Sequence, residues 1–121
     1  MPKILLADDN ALVRQLLRAQ LESLSTDILE AADGQTALEL ARTEHPRVAV
    51  LDLDMPRLNG FEVCLQLKAD QATADIRVVI VTANTEDDVQ GYIFAAGADD
   101  FFAKPWDKQA LCQRIAELLE S

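Results

Sequence analysis

Short apolar runs recur along this chain, and after each one apolar residues return only at three- and four-residue spacing. Ile4–Ala7 is the first run, and Leu12, Val13, Leu16, Leu17, Leu21 and Leu24 follow it at helical intervals. Such a stripe behind a continuous apolar run predicts an amphipathic helix behind a strand buried on both faces. The alternation then repeats. Thr26–Ala31 precedes a helix that opens at Gly34, carries Ala37, Leu38 and Ala41 on one face, and stops at Pro46. Val48–Leu51 precedes the Pro56–Gly60 turn and a helix with Phe61, Cys64, Leu65 and Lys68 on spacing. The β-branched run Ile76–Val81 precedes Val89, Ile93 and Ala96, closed by Gly97. Phe101–Ala103 precedes a helix capped by Asp107, with Leu111, Ile115, Leu118 and Leu119 as its stripe.

Five strand–helix units in succession leave few folds open. Strands joined through helices run parallel, and a parallel sheet needs both faces covered. The expectation is an α/β fold: an open, doubly wound, five-stranded parallel sheet with helices on both faces, forming one domain over residues 1–121. Half the residues are hydrophobic, enough for a sizeable core. Cys64 and Cys112 lie inside apolar helical patterns and read as small core residues rather than a disulfide or a zinc site. The run at the start is too short for a secretory signal, and no stretch approaches the ~20 apolar residues of a membrane span. The expected location is the cytoplasm. Eleven basic against 21 acidic residues give a net charge of −10, which makes nucleic acid and anionic membrane poor partners.

The stretch "VAVLDLDMPRLNG" ends a buried strand on a carboxylate. In open parallel sheets, function gathers beyond the carboxyl ends of the strands. Asp8 and Asp9 end the first strand, and Asp52 ends the third, with Asp54 two residues on. Thr82 and Ala83 end the fourth; Lys104 and Pro105 end the fifth; Asp33 follows the second. Alone, each has a plain structural explanation, and Asp9 or Asn10 could cap the first helix. Together they place several acids, a hydroxyl and a lysine on one rim. Two like charges at ~4 Å repel by about 4 kcal/mol at an effective dielectric of ~20. That is large beside a total stability of roughly 5–15 kcal/mol. The cluster therefore calls for a cation, and oxygen ligands open to water suit Mg²⁺ or Mn²⁺. A carboxylate, a divalent ion and a lysine suit transfer of a phosphoryl group onto an oxygen nucleophile.

"ILLADDN", "VLDLDMPRLNG", "IVTA" and "GADDFFAKPW", in this order and spacing, resemble the receiver domain of response regulators, the phosphoacceptor module of two-component signalling. The resemblance covers Lys3 to about Leu119. It implies the flavodoxin-like strand order 2-1-3-4-5, which the apolar pattern alone does not supply. Asp52 would be phosphorylated by a histidine kinase or a histidine phosphotransfer protein. Asp9 and Asp52 would hold Mg²⁺ through side chains, Asp54 through its carbonyl and Asp8 mainly through water. Thr82, the N–H of Ala83 and Lys104 would bind the phosphoryl oxygens. The Lys104–Pro105 bond would be cis. Phe101 stands at an aromatic switch position where tyrosine is common, and Trp106 where phenylalanine is usual. Asp54 and Asn84 sit at positions that vary in the family and flank the path of attacking water. Such a domain catalyses its own phosphorylation and dephosphorylation and is not otherwise an enzyme. The switching face would be helix 4, strand 5 and helix 5, presented to a downstream protein or an output domain.

On the fourth helix, Tyr92 and Phe94 either pack at the core edge or form a partner surface. Gln90 and Tyr92 stand where winged-helix regulators carry basic residues, so no dimer of that charged type is expected. A haloacid-dehalogenase-type phosphatase would need its Asp-x-Asp on the first strand. A flavin domain would need a Gly/Ser/Thr-rich phosphate loop where Asp8, Asp9 and Asn10 stand. A third alternative is an interaction module that has lost phosphorylation, against which the complete set of site residues speaks.

Overall fold

The computed structural model describes residues 2–25 and 27–121. Strands and helices alternate along the chain: β1 (Ile4–Ala7), α1 (Ala11–Leu21), β2 (Ile28–Ala31), α2 (Gly34–Glu44), β3 (Val48–Asp52), α3 (Gly60–Ala69), β4 (Arg77–Thr82), α4 (Asp87–Ala95), β5 (Asp100–Ala103) and α5 (Lys108–Glu120). The strands form one parallel sheet in the order β2-β1-β3-β4-β5, as the resemblance implied. Thr26, the expected first residue of the second strand, lies outside the described residues.

Period-two alternation divides the core. Leu5 and Ala7 of β1 join Ala49 and Leu51 of β3 against α2, α3 and α4. Ile4 and Leu6 join Val48, Val50, Val79 and Val81 against α1 and α5. The inner strands β1, β3 and β4 are buried on both faces, which explains why their sequences read as unbroken apolar runs, whereas the edge strands β2 and β5 are only partly covered.

The helix ends follow from local chemistry. The Asn10 side chain caps α1 by accepting from the N–H groups of Leu12 and Val13. Asp33 caps α2, so it closes a helix and lies outside the acidic rim. His45, in the left-handed region, ends α2 ahead of Pro46. Asn59 and Glu62 form a reciprocal capping box on α3. Asp107 caps α5 as expected.

One expectation about α1 needs correcting. Its apolar stripe was read as core-facing throughout, yet Leu12 is 74 % and Leu16 49 % exposed. Leu17 and Leu21 fill the core, and Val13 packs at its edge. At ~100° per residue, Leu12 and Leu16 fall on the flank of that stripe, beyond the width the sheet can cover. On α4, Tyr92 and Phe94 are both exposed, and Ile93 alone is fully buried.

Candidate functional site

Register brings the rim together. Ala7 lies opposite Leu51, so Asp8 and Asp52 leave neighbouring strands at the same level. Asp52 lies opposite Val81, and Thr82 opposite Ala103, which places Thr82 and Lys104 a step beyond. One carboxylate oxygen from each of Asp8, Asp9 and Asp52 lies within 4.8 Å of the others. Asp8 and Asp52 are buried, while Asp9 is exposed.

Lys104 is the counterweight. Its Nζ donates to Asp8 Oδ2 at 2.8 Å and pairs with Asp52 Oδ2 at 3.5 Å. Asp8 Oδ1 accepts from the Asn10 N–H at 2.8 Å. One ammonium serves two buried carboxylates, and the exposed third receives none of it. Asp52 registers the imbalance. Burial, then the charge of Asp8, pushes its pKa up to about 6, against the pull of Lys104. Burial works against the charge on Lys104, but the hydrogen bond it donates to Asp8 and the charges of Asp52 and Asp8 outweigh it and raise the pKa.

The acids fit a hard divalent ion. Octahedral Mg²⁺ holds oxygens at ~2.1 Å, so its ligands lie roughly 3–4 Å from one another. The three acid oxygens already approach that spacing, with two in the protein wall and one on the solvent side. The set is all oxygen and open on one side, as suits an ion that keeps several waters.

The other expected residues stand around this centre. Asp54 is exposed, and its side chain lies outside the three-acid cluster; its N–H approaches Asp52 Oδ1 at 3.4 Å. Thr82 is fully buried, and its Oγ1 accepts from the Asn84 N–H at 3.0 Å. That bond uses a lone pair and leaves the hydroxyl proton available as a donor. Ala83 is exposed beside it. Phe101 is half-buried against the α2–α3–α4 side of the core. The Lys104–Pro105 bond is cis. Trp106 packs on the other core, and its indole N–H donates to Gln20 Oε1 at 2.8 Å.

Sequence reasoning missed Arg14. From the first turns of α1 it donates to the Asp8 carbonyl at 2.6 Å and pairs with Glu30 at 3.1 Å, tying the loop after β1 to β2. A basic residue one turn beyond an acid-ended strand was the available signal. Gly60 was read only as a turn residue. A Cβ there would collide with the Asp52 carbonyl oxygen, so α3 starts against the acid itself.

Comparison with known proteins agrees with this geometry. The family model described as "Response regulator receiver domain" matches residues 4–116. The "DNA-binding dual master transcriptional regulator RpaA" of Synechocystis sp. is 39 % identical over 121 residues, covering 98 % of this chain and 49 % of that protein. The alkaline phosphatase synthesis transcriptional regulatory protein PhoP of Bacillus subtilis is 36 % identical over 117 residues, covering 97 % and 48 %. The chain thus spans about half the length of the curated relatives it matches. Among solved structures, the signal receiver domain of a DNA-binding response regulator (merR) from Colwellia psychrerythraea superposes with a TM-score of 0.93 at 33 % identity, covering all of both chains. A family model spanning nearly the whole chain, relatives of this identity and the same strand order agree: this chain belongs to the response regulator receiver domains of two-component signalling.

Proposed function

We propose that Asp52 accepts a phosphoryl group from a phosphohistidine of a histidine kinase or phosphotransfer protein. The carrying observation is a buried carboxylate at the end of the central strand, with two further acids and one lysine converging on it. An Asp52 oxygen attacks phosphorus as the P–N bond breaks. An acyl phosphate forms, and the electron pair leaves with the imidazole.

Asp8, Asp9 and Asp52 would hold Mg²⁺ or Mn²⁺, with the Asp54 carbonyl as a further ligand. When bound, the ion neutralises phosphoryl oxygens and lets three acids share one site. The chain's own groups do the rest. Lys104, now spread over Asp8 and Asp52, turns to the added anionic oxygens. Thr82 offers its free hydroxyl proton, and Ala83 is small enough to leave its N–H approachable. Phe101 would follow Thr82 and alter the face of α4, β5 and α5 for a downstream protein or an output domain. Leu12 and Leu16, exposed on the helix that follows Asp8 and Asp9, would offer the donor apolar contacts. The domain catalyses only its own phosphorylation and dephosphorylation.

The test is intact mass after incubation with acetyl phosphate and Mg²⁺, with Trp106 fluorescence as a second readout. One phosphoryl adduct on the parent chain and none on Asp52→Asn supports the reading. An unmodified parent, or identical labelling of both, overturns it in favour of a module without phosphorylation.

A further inference from the structure

Tyr92 and Phe94 stand two positions apart on α4, so at ~100° per residue they leave the helix on opposite flanks. Phe94, 48 % exposed, is on the flank away from Tyr92. The Arg114 guanidinium of α5 is committed to Asp100 Oδ2 at 2.7 Å and the Asp99 carbonyl at 3.3 Å. Tyr92 turns the other way, toward α3, where its ring meets Phe61 edge-on at 6.5 Å. Tyr92 is nonetheless 65 % exposed. A groove of about 400 Å³ is lined by this pair together with Leu53, Asp54, Val89 and Ile93. Concave sites of roughly 300–1,000 Å³ accept ligands, and exposed aromatic side chains are frequent binding anchors.

Charge selects the occupant. Among the described residues that line the groove, Asp54 carries the charge and none is basic. Asp87 and Asp88 open α4, and Glu62 stands on the neighbouring turn of α3, all three exposed. Their helix-start positions suit acids, so helix stability alone explains part of the pattern. It does not explain an uncovered tyrosine over an apolar floor. A second copy of the chain would bring its own charge of −10 to the same face.

We propose that the groove between α3 and α4, floored by Leu53, Phe61, Val89 and Ile93, docks a peptide segment of another protein that carries an aromatic or long aliphatic side chain flanked by Lys or Arg. The apolar side chain fills the space under Tyr92, and the basic residues meet Asp54 and Asp88, the latter on the Tyr92 flank of α4. This surface lies on the α3 side of α4, the flank opposite Phe94.

The experiment titrates ¹⁵N-labelled protein with the synthetic peptide Lys-Leu-Lys-Trp-Lys and with its acidic counterpart Glu-Leu-Glu-Trp-Glu. The expected result is saturable shifts of the Leu53, Phe61, Val89 and Ile93 amides with the basic peptide, and binding at least about tenfold weaker with the acidic one. Tyr92→Ala and Tyr92→Arg, whose folding is checked by circular dichroism, weaken the basic peptide by about tenfold or more. Gln71→Ala, exposed just beyond α3, leaves it unchanged. Both Tyr92 variants change an exposed side chain, so the fold should survive. Shifts gathered at Leu12 and Leu16 or at the acid site, equal affinity for both peptides, indifference to Tyr92, or no saturation would each overturn the proposal.

Discussion

Asp52 is held in a state that folding alone does not favour. Its pKa moves from the ordinary 3.8 up to about 6, chiefly through burial and then through Asp8. Below that window both folded and unfolded chains hold the proton, and above it neither does. Within it the folded chain keeps a proton that the unfolded chain has lost, so metal-free stability falls as pH rises from 3.8 to about 6. The loss is roughly 3 kcal/mol at ~1.4 kcal/mol per unit. Asp52→Asn should therefore stabilise the metal-free protein near neutral pH by about 1–3 kcal/mol and flatten the acid limb, as read by urea unfolding across pH. A variant less stable than the parent would refute this. Lys104→Met acts in the opposite sense. It strands Asp8 and Asp52 without their shared cation, costing about 3–5 kcal/mol without metal. It also removes a competitor for the acids, so calorimetry should show tighter Mg²⁺ binding even as phosphoryl labelling falls.

At the scale of elements, the strands and most of the stripes were legible because two-sided burial leaves no polar residue inside β1, β3 or β4 except at their ends. Asp52 was legible for the same reason: a carboxylate closing such a run is conspicuous. Leu12 and Leu16 were misread because hydrophobicity records what a residue prefers, and only packing records whether a neighbour exists. Arg14 was hidden because its contact with the Asp8 carbonyl depends on how the β1–α1 loop folds back, which spacing does not encode. Gly60 was hidden because α3 meets β3 only in three dimensions. Gly60→Ala should cost about 1–3 kcal/mol by overpacking against the Asp52 carbonyl. It should also slow labelling more than Asn59→Ala does. The latter breaks the capping box for about 1 kcal/mol and leaves the acid in place.

Across the whole molecule, one parallel sheet brings the ends of β1, β3, β4 and β5 to one centre. The strand order could not be read from apolar spacing, because every order buries the same runs; it came from motif resemblance and stands in the structure. With a net charge of −10 and Asp8, Asp9 and Asp52 gathered on one rim, the fold should respond to divalent ions as a unit. Millimolar Mg²⁺ should raise the melting temperature of the parent and leave Asp9→Asn/Asp52→Asn nearly unmoved, while a chelator reverses the gain. An equal rise in parent and double variant would place the ion elsewhere. The most direct trial of the central claim is to locate the phosphoryl group chemically. Protein treated with acetyl phosphate is reduced with borohydride, which converts an aspartyl phosphate to homoserine, and the peptides are then mapped. Homoserine at position 52, formed with Mg²⁺ and absent after chelation, is the predicted result; homoserine at another aspartate, or equal conversion without metal, would contradict it.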